Sequence, residues 1–265
     1  MSDHLIVKKE GAIATLTMNR PKSRNALSID MREMLFDALV DIETDDSVRC
    51  VVIKGEGDHF MAGGDVISFG DVAKKPADER GKLFEKRIHG LHPTIFTMKR
   101  MEKPIIASVQ GAAAGFGLSL AMACDMVIAA DTSFYTLAYI GIATTPDGSG
   151  TYSLPRIVGL KKAMEIAMLG DRFDAAEAHR LGLVNFVVPA SDLEAETAKL
   201  ATRLANGPTV AIGRTKKLMH ASLVNGMEEQ LALEAESFAA CARTEDWVEG
   251  ITAFGEKRKP VFKGK

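Results

Sequence analysis

Gln110-Gly111-Ala112-Ala113-Ala114-Gly115-Phe116-Gly117 leaves one apolar segment, Pro104 to Val109, and enters another, Leu118 to Ala123. The first segment reads as a buried strand. Gly115 to Ala123 reads as a short helix packed against a further strand, Met126 to Ala130. A loop that ends a strand and opens a helix leaves N–H groups unpaired at the positive end of the helix dipole, a setting that suits developing negative charge. A loop of the same kind lies upstream. Phe60-Met61-Ala62-Gly63-Gly64-Asp65-Val66 follows a strand expected over Val48 to Lys54, and its glycines let a reacting oxygen approach the main chain with no Cβ in the way. Small residues in one such loop also serve tight strand–helix packing. Two of them in order favour a ligand site, because strand ends are where α/β proteins usually meet their ligands.

The rest of the chain fits around these loops. Leu5 to Lys8 and Ala12 to Asn19 read as two strands split by Glu10-Gly11. Ser28 is placed to cap a helix through Asp41, on which Met31, Met34, Leu35, Ala38, Leu39 and Ile42 recur at helical spacing. One helical stretch is predicted from Leu83 to Met98. This strand–helix rhythm is that of an α/β core. After about Arg156 the periodic segments 161–170, 174–181, 191–206, 208–222 and 227–242 are mostly helical, with one extended piece at Val184 to Val188. Domain organisation is therefore read as an α/β core over 1–200 and a helical region over 201–265.

Composition excludes several classes. The 265 residues are 46% hydrophobic and 26% charged, enough for a large core, and 33 Lys+Arg against 35 Asp+Glu leave no basic surplus for nucleic acid or an anionic membrane. Cys50, Cys124 and Cys241 are far apart with no CxxC, which argues against a disulfide framework and fits a reducing cytoplasm. Met1 to Glu10 lacks the features of a secretory or transit segment. His59, His89, His179 and His220 form no HxxxH or HxH set, so no metal is expected.

The two loops, together with Asn19-Arg20-Pro21, Asn25-Ala26-Leu27, Ala121-Met122-Ala123-Cys124-Asp125, Pro146-Asp147-Gly148, Leu154-Pro155-Arg156-Ile157-Val158-Gly159 and the tail motif from Gly250 to Phe262, resemble the crotonase (enoyl-CoA hydratase/isomerase) superfamily over nearly the whole chain. The resemblance implies a ClpP/crotonase-type spiral of ββα units with a helical C-terminal region. It also implies an acyl-coenzyme A thioester as substrate and no cofactor beyond the coenzyme A of that substrate. The amides of Gly64 and Phe116 would then polarise the thioester carbonyl. Hydratases of this family carry two glutamates where this chain has Ser119 and Tyr139, and neither replaces an ionised base near neutral pH. Asp147 matches the position of the acid/base aspartate of several isomerases; the alternative is that it caps a turn or the next helix. His92, in the segment that normally lines the acyl pocket, resembles the base of haloaryl-CoA dehalogenases, or else is a helix-end histidine bonded to backbone or water.

For coenzyme A, the resemblance points to Arg24 as a phosphate-contacting cation, with a solvated arginine as the alternative. It places Ala62, Asp65 and Val66 around the adenine and Tyr139 along the ligand, and sends Phe254, Lys257 and Phe238 toward a neighbouring subunit's ligand. Periodicity alone would put both phenylalanines in helix cores. The expected assembly is a homotrimer or a dimer of trimers, with neither nucleic acid nor membrane as partner. The preferred activity is enoyl-CoA isomerisation. Hydration of 2-enoyl-CoA, in fatty-acid or aromatic-acid degradation, is second, an aryl-CoA dehalogenase-like reaction third, and a non-catalytic, RNA-binding relative the alternative of a different class.

Overall fold

Near-continuous apolar strands build the centre of a sheet that is covered on both faces. The computed structural model describes residues 3–265. Its first elements are β1 (Leu5–Glu10), β2 (Ile13–Met18), α1 (Ile29–Thr44) and β3 (Cys50–Gly55), followed by α2 (Phe69–Ala73), α3 (Ala77–His89) and α4 (His92–Arg100). Next come β4 (Ile105–Val109), β5 (Ala112–Ala114), α5 (Phe116–Ala123), β6 (Met126–Ala130) and β7 (Phe134–Thr136). Then α6 (Gly150–Val158), α7 (Leu160–Leu169), β8 (Phe173–Asp174), α8 (Ala175–Arg180), β9 (Phe186–Val188) and α9 (Leu193–Ala205) complete the part built on strands. The chain ends in α10 (Thr209–Ala221), α11 (Met227–Ala242) and α12 (Glu245–Gly255).

The main sheet has the order β1-β2-β3-β4-β6-β9, antiparallel between β1 and β2 and parallel thereafter. On one face Val51, Ile53, Ile105 and Ala107 join Met31, Leu35 and Leu39 of α1 and Leu118 and Leu120 of α5 in the principal core. On the other, Cys50, Val52, Ile106 and Ile128 meet Leu193, Ala201 and Ala205 of α9. A parallel sheet covered on both faces needs such near-continuous apolar strands. Position 200, the expected edge of the core, falls inside α9.

Two features depart from the sequence reading. The helix expected over 83–98 is two helices, α3 and α4, broken at Gly90 and Leu91. Pro93 has no N–H to donate and its ring would strike the preceding turn, so the chain restarts with the proline in the first turn of α4. The other departure is a second sheet, β5-β7-β8, parallel between β5 and β7 and antiparallel between β7 and β8. Its strands of two or three residues are too short to show alternation. β5 is the Ala112–Ala114 run itself, so the loop between β4 and α5 is in fact a strand of the second layer.

Ser28 caps α1 as expected, its hydroxyl accepting from the Met31 amide at 3.1 Å. Asn25 is a further staple. It is fully buried in the left-handed region (φ 55°), where asparagine is tolerated better than most residues. Its amide donates to the carbonyls of Glu56 (2.9 Å) and His59 (2.7 Å), and its oxygen accepts from the Arg20 amide (2.8 Å). Asn25→Leu would leave three part-buried backbone groups without their Asn25 partner, and we expect a loss of at least about 2 kcal/mol in urea unfolding. A loss under about 0.5 kcal/mol would show that these bonds do not hold the loop.

Candidate active site

The segments 60–66 and 110–117 lie side by side as a short parallel ladder. Phe60 N donates to Gln110 O (2.8 Å), Met61 N to Ala112 O (3.0 Å) and Ala114 N to Met61 O (2.9 Å). Leu27 pairs with the same segment from its other side, its amide on Gly63 O at 2.8 Å and its carbonyl accepting from Asp65 N at 3.2 Å. Ala62 N goes to Arg24 O (2.9 Å) and Gly115 N to Thr136 O (2.9 Å). The N–H groups of Gly63, Gly64, Phe116 and Gly117 have no acceptor among the described residues. Phe116 and Gly117 open α5, whose eight residues are all buried, so the positive end of its dipole acts in a poorly screened setting.

The glycines bring the two segments close. Gly63 (φ 96°) and Gly115 (φ 52°) both occupy backbone regions that a side chain strains. A Cβ on Gly63 would stand 3.7 Å from Phe116 N, and one on Gly115 would stand 3.5 Å from the Cα of Gly63. The gap between the Gly64 and Phe116 amides thus has glycine on each side. Main-chain N–H groups there can be approached with no Cβ in the way. The Phe69 ring covers the Gly64 side, 3.3 Å from where a Cβ would be, and packs edge to face with Phe84 at 4.9 Å.

A glycine-rich turn places Asp147 on the Phe116 side of α5. Gly148 packs against the Phe116 ring, and a Cβ there would lie 2.5 Å from two ring carbons. The Asp147 carboxylate accepts a 2.5 Å hydrogen bond from the Tyr139 hydroxyl. Burial raises its pKa; the Tyr139 bond and the nearby His92 ring partly oppose that rise. Burial also raises Tyr139, and the neighbouring negative Asp147 raises it further, so the phenol keeps its proton. The Asp147 side chain does not cap α6: its N-cap is Ser149, with no side-chain cap bond. Ser119 Oγ is buried on α5 beside the Tyr139 hydroxyl, close enough to oppose part of the rise in its pKa, and makes no well-formed hydrogen bond among the described residues. It lies under Gly150, where a Cβ would come within 2.7 Å of it.

The remaining sequence-predicted residues divide. His92 opens α4, contacting His89 (ring centroids 5.3 Å) and Phe96 (6.3 Å), with no hydrogen bond to its ring. Arg24 is exposed, has φ 49°, makes no ion pair among the described residues and accepts from Ala62 N through its carbonyl. Asp65 is differently engaged: it pairs with Arg20 at 2.8 Å and accepts from Ser68 N at 3.4 Å. Val66 is half-exposed next to it. Phe238 and Phe254 are 71% and 86% exposed on α11 and α12, which overturns the helix-core alternative for both. Lys257, just past α12, is exposed as well. None of these three makes a hydrogen bond or ring contact with the Gly64–Asp147 group among the described residues. Two features were not legible beforehand: the Tyr139–Asp147 bond, which spans a turn with no periodicity, and Phe69 over Gly64.

Comparison with known proteins points the same way. The family model described as enoyl-CoA hydratase/isomerase matches residues 8–265. A 1,2-epoxyphenylacetyl-CoA isomerase of Escherichia coli (strain K12) is 34% identical over 100% of both chains. A crotonyl-CoA hydratase of Syntrophomonas wolfei is 36% identical over 98% of each. Among solved structures, an enoyl-CoA hydratase from Polaromonas sp. JS666 superimposes with a TM-score of 0.92 at 35% identity, covering 98% of this chain and 99% of that one.

An unpartnered buried hydroxyl costs free energy, so removing it should cost nothing. Ser119→Ala is expected to keep the unfolding free energy or raise it by up to about 1 kcal/mol. A clear loss of stability would mean that Ser119 has a partner in solution.

Proposed function

The chain belongs to the enoyl-CoA hydratase/isomerase family, the crotonase superfamily, and from that premise we propose that it isomerises an unsaturated acyl-CoA through a thioester enolate. The observation that carries the reading is the polar group beside the two amides. It holds one carboxylate, Asp147, while hydroxyls stand at Ser119 and Tyr139, where hydratases of the family place their carboxylates. Water addition needs one group to activate water and another to deliver a proton to carbon. Moving a double bond needs only one group that takes a proton and returns it.

The steps balance with no co-reactant. The thioester oxygen sits between Gly64 N–H and Phe116 N–H. Asp147 takes a proton from the carbon at one end of the allylic unit; the C–H electron pair becomes the new double bond, and charge passes to the oxygen. The charge then returns toward the carbon at the other end, which takes a proton back from Asp147 after the carboxyl hydrogen has had the chance to exchange with solvent. Coenzyme A is held from the Arg24, Ala62 and Val66 side, and a neighbouring subunit supplies Phe254, Lys257 and Phe238. The exposure of those two phenylalanines supports that assembly. Asp65, already neutralised by Arg20, contributes loop shape and backbone groups.

His92 beside Asp147 favours one second reading, in which Asp147 attacks a haloaryl-CoA and His92 activates water for the ester so formed. The two separate on a panel of 2-enoyl-, 3-enoyl- and haloaryl-CoA thioesters incubated in deuterated water and read by mass spectrometry. We expect deuterium uptake in the enoyl substrates without net water addition; hydrated product or halide release would overturn the isomerase.

Two variants test the machinery. Gly64→Pro removes one N–H donor and should lower kcat about 10²–10³-fold in a folded protein; unchanged kinetics would remove the carbonyl-binding role. Asp147→Asn should abolish turnover yet not weaken the fold. The native pKa of Asp147 is raised, so its contribution to stability is intact below the ordinary carboxylate value of about 3.9 and declines as pH climbs through the raised native value. Asparagine escapes that decline, and the stability of the variant relative to the parent should rise from acid to neutral pH. Parallel losses of stability and activity would make Asp147 a structural residue.

A further inference from the structure

Tyr139 links the two halves of the candidate site through both ends of its side chain. Its ring lies against Gly115, where a Cβ would stand 3.9 Å from two ring carbons, one residue before the Phe116 amide. Its hydroxyl reaches Asp147 at 2.5 Å. The 3-10 turn that carries it, Tyr139–Ile142, is closed by Ala143 in a left-handed conformation and by a bond from Thr144 N to Tyr139 O at 3.2 Å. The backbone thus presents the ring at one place and angle. A carboxylate on a turn has two equivalent oxygens and a free χ2 rotation. With one oxygen taken, only the other is free to meet a carbon, and its distance from the two amides is set by the length of the tyrosine ring.

We propose that Tyr139 is a positioning residue for Asp147, its hydroxyl holding one carboxylate oxygen so that the other alone takes the proton from the acyl chain and gives it back. The inference rests on Asp147 being the acid/base. A single working oxygen explains how one carboxylate serves both carbons of an allylic unit: the proton is picked up and put down on one face, with no turn of the carboxyl group between. Tyr139 does not itself exchange a proton with substrate. The titratable groups facing Asp147 are Tyr139 from the 3-10 turn and His92 from α4. Among the described residues only the tyrosine gives it a side-chain hydrogen bond.

The hydroxyl can be removed with the ring left in place. In Tyr139→Phe, the Asp147 carboxyl loses a donor that favours its ionised form, and its titration should move to higher pH by about one to two units, the worth of a hydrogen bond to a charged group. The acid limb of kcat/KM on a 3-enoyl-CoA should move with it. At neutral pH kcat should fall about tenfold or more with KM little changed, the loss shrinking as pH is raised. Replacing Tyr139 alone by 3-fluorotyrosine, a stronger donor of nearly the same size, should shift both to lower pH. The carboxyl is followed directly by carbon-13 NMR of labelled aspartate, its resonance assigned by its disappearance in Asp147→Asn, so the result does not depend on turnover. Opposite shifts in the two variants support the proposal. An unmoved Asp147 titration, or a pH-independent loss of kcat/KM in Tyr139→Phe, overturns it. An active Asp147→Asn enzyme would instead sink the isomerase mechanism itself.

Discussion

Everything in the site depends on how the backbone of residues 60–66 is shared out. Met61 pairs with β5, Gly63 and Asp65 pair with Leu27, and Ala62 donates to Arg24. A segment bonded from both sides has almost no freedom left. The Gly64 amide points where its neighbours' pairing forces it to point, and it stays unbonded because the facing strand gives way there to the N-terminus of α5. Gly64 is half-buried, and an N–H with no acceptor among the described residues, held next to a helix terminus, is open to an outside acceptor. The cost of keeping it open is spread over the ladder and the fully buried α5.

That rigidity also explains Asn25. Its three hydrogen bonds tie the turn after β2 to the turn after β3, and so bring Leu27 within reach of Gly63. A residue well away from the chemistry therefore governs it, through main-chain geometry alone. Removing the Cβ at Gly63 and Gly115 is the complementary step, because the ladder can close to contact distance only where no side chain intervenes.

The parts of this arrangement that were legible in the sequence are those with a period or a residue type behind them. The strands at 50–55, 105–109 and 126–130 are runs of buried β-branched and small residues. α1 has both its apolar stripe and its Ser28 cap, and the two glycine loops stand out by composition. The second sheet was hidden because Ala112–Ala114, Phe134–Thr136 and Phe173–Asp174 are shorter than one full alternation. The break between α3 and α4 was hidden for another reason: apolar spacing continues across Gly90 and only Pro93 signals the restart. Within the site, Asp147 and His92 were found as residue types near motifs. The Tyr139 bond to Asp147 depends on the path of a turn through left-handed Ala143, which no pattern of side chains encodes.

Two polar residues where relatives place carboxylates change more than the count of bases. Two carboxylates close together in a buried site would repel, and the protein would have to keep one of them protonated. With Ser119 and Tyr139 in their place, the local charge is that of Asp147 alone, and two effects of opposite sign act on it. Burial pushes the pKa up and makes the carboxylate a stronger base once ionised; the phenol hydrogen bond and the His92 ring pull it down, so that the ionised form is available to work. A base useful near neutral pH needs both, since too low a pKa gives no driving force for taking a proton from carbon and too high a value leaves the base already protonated. Tyr139 meets this need because its own ionisation is suppressed by the same burial and by the charge beside it. It can donate a hydrogen bond to Asp147 without competing for the proton that Asp147 would move in the proposed isomerisation.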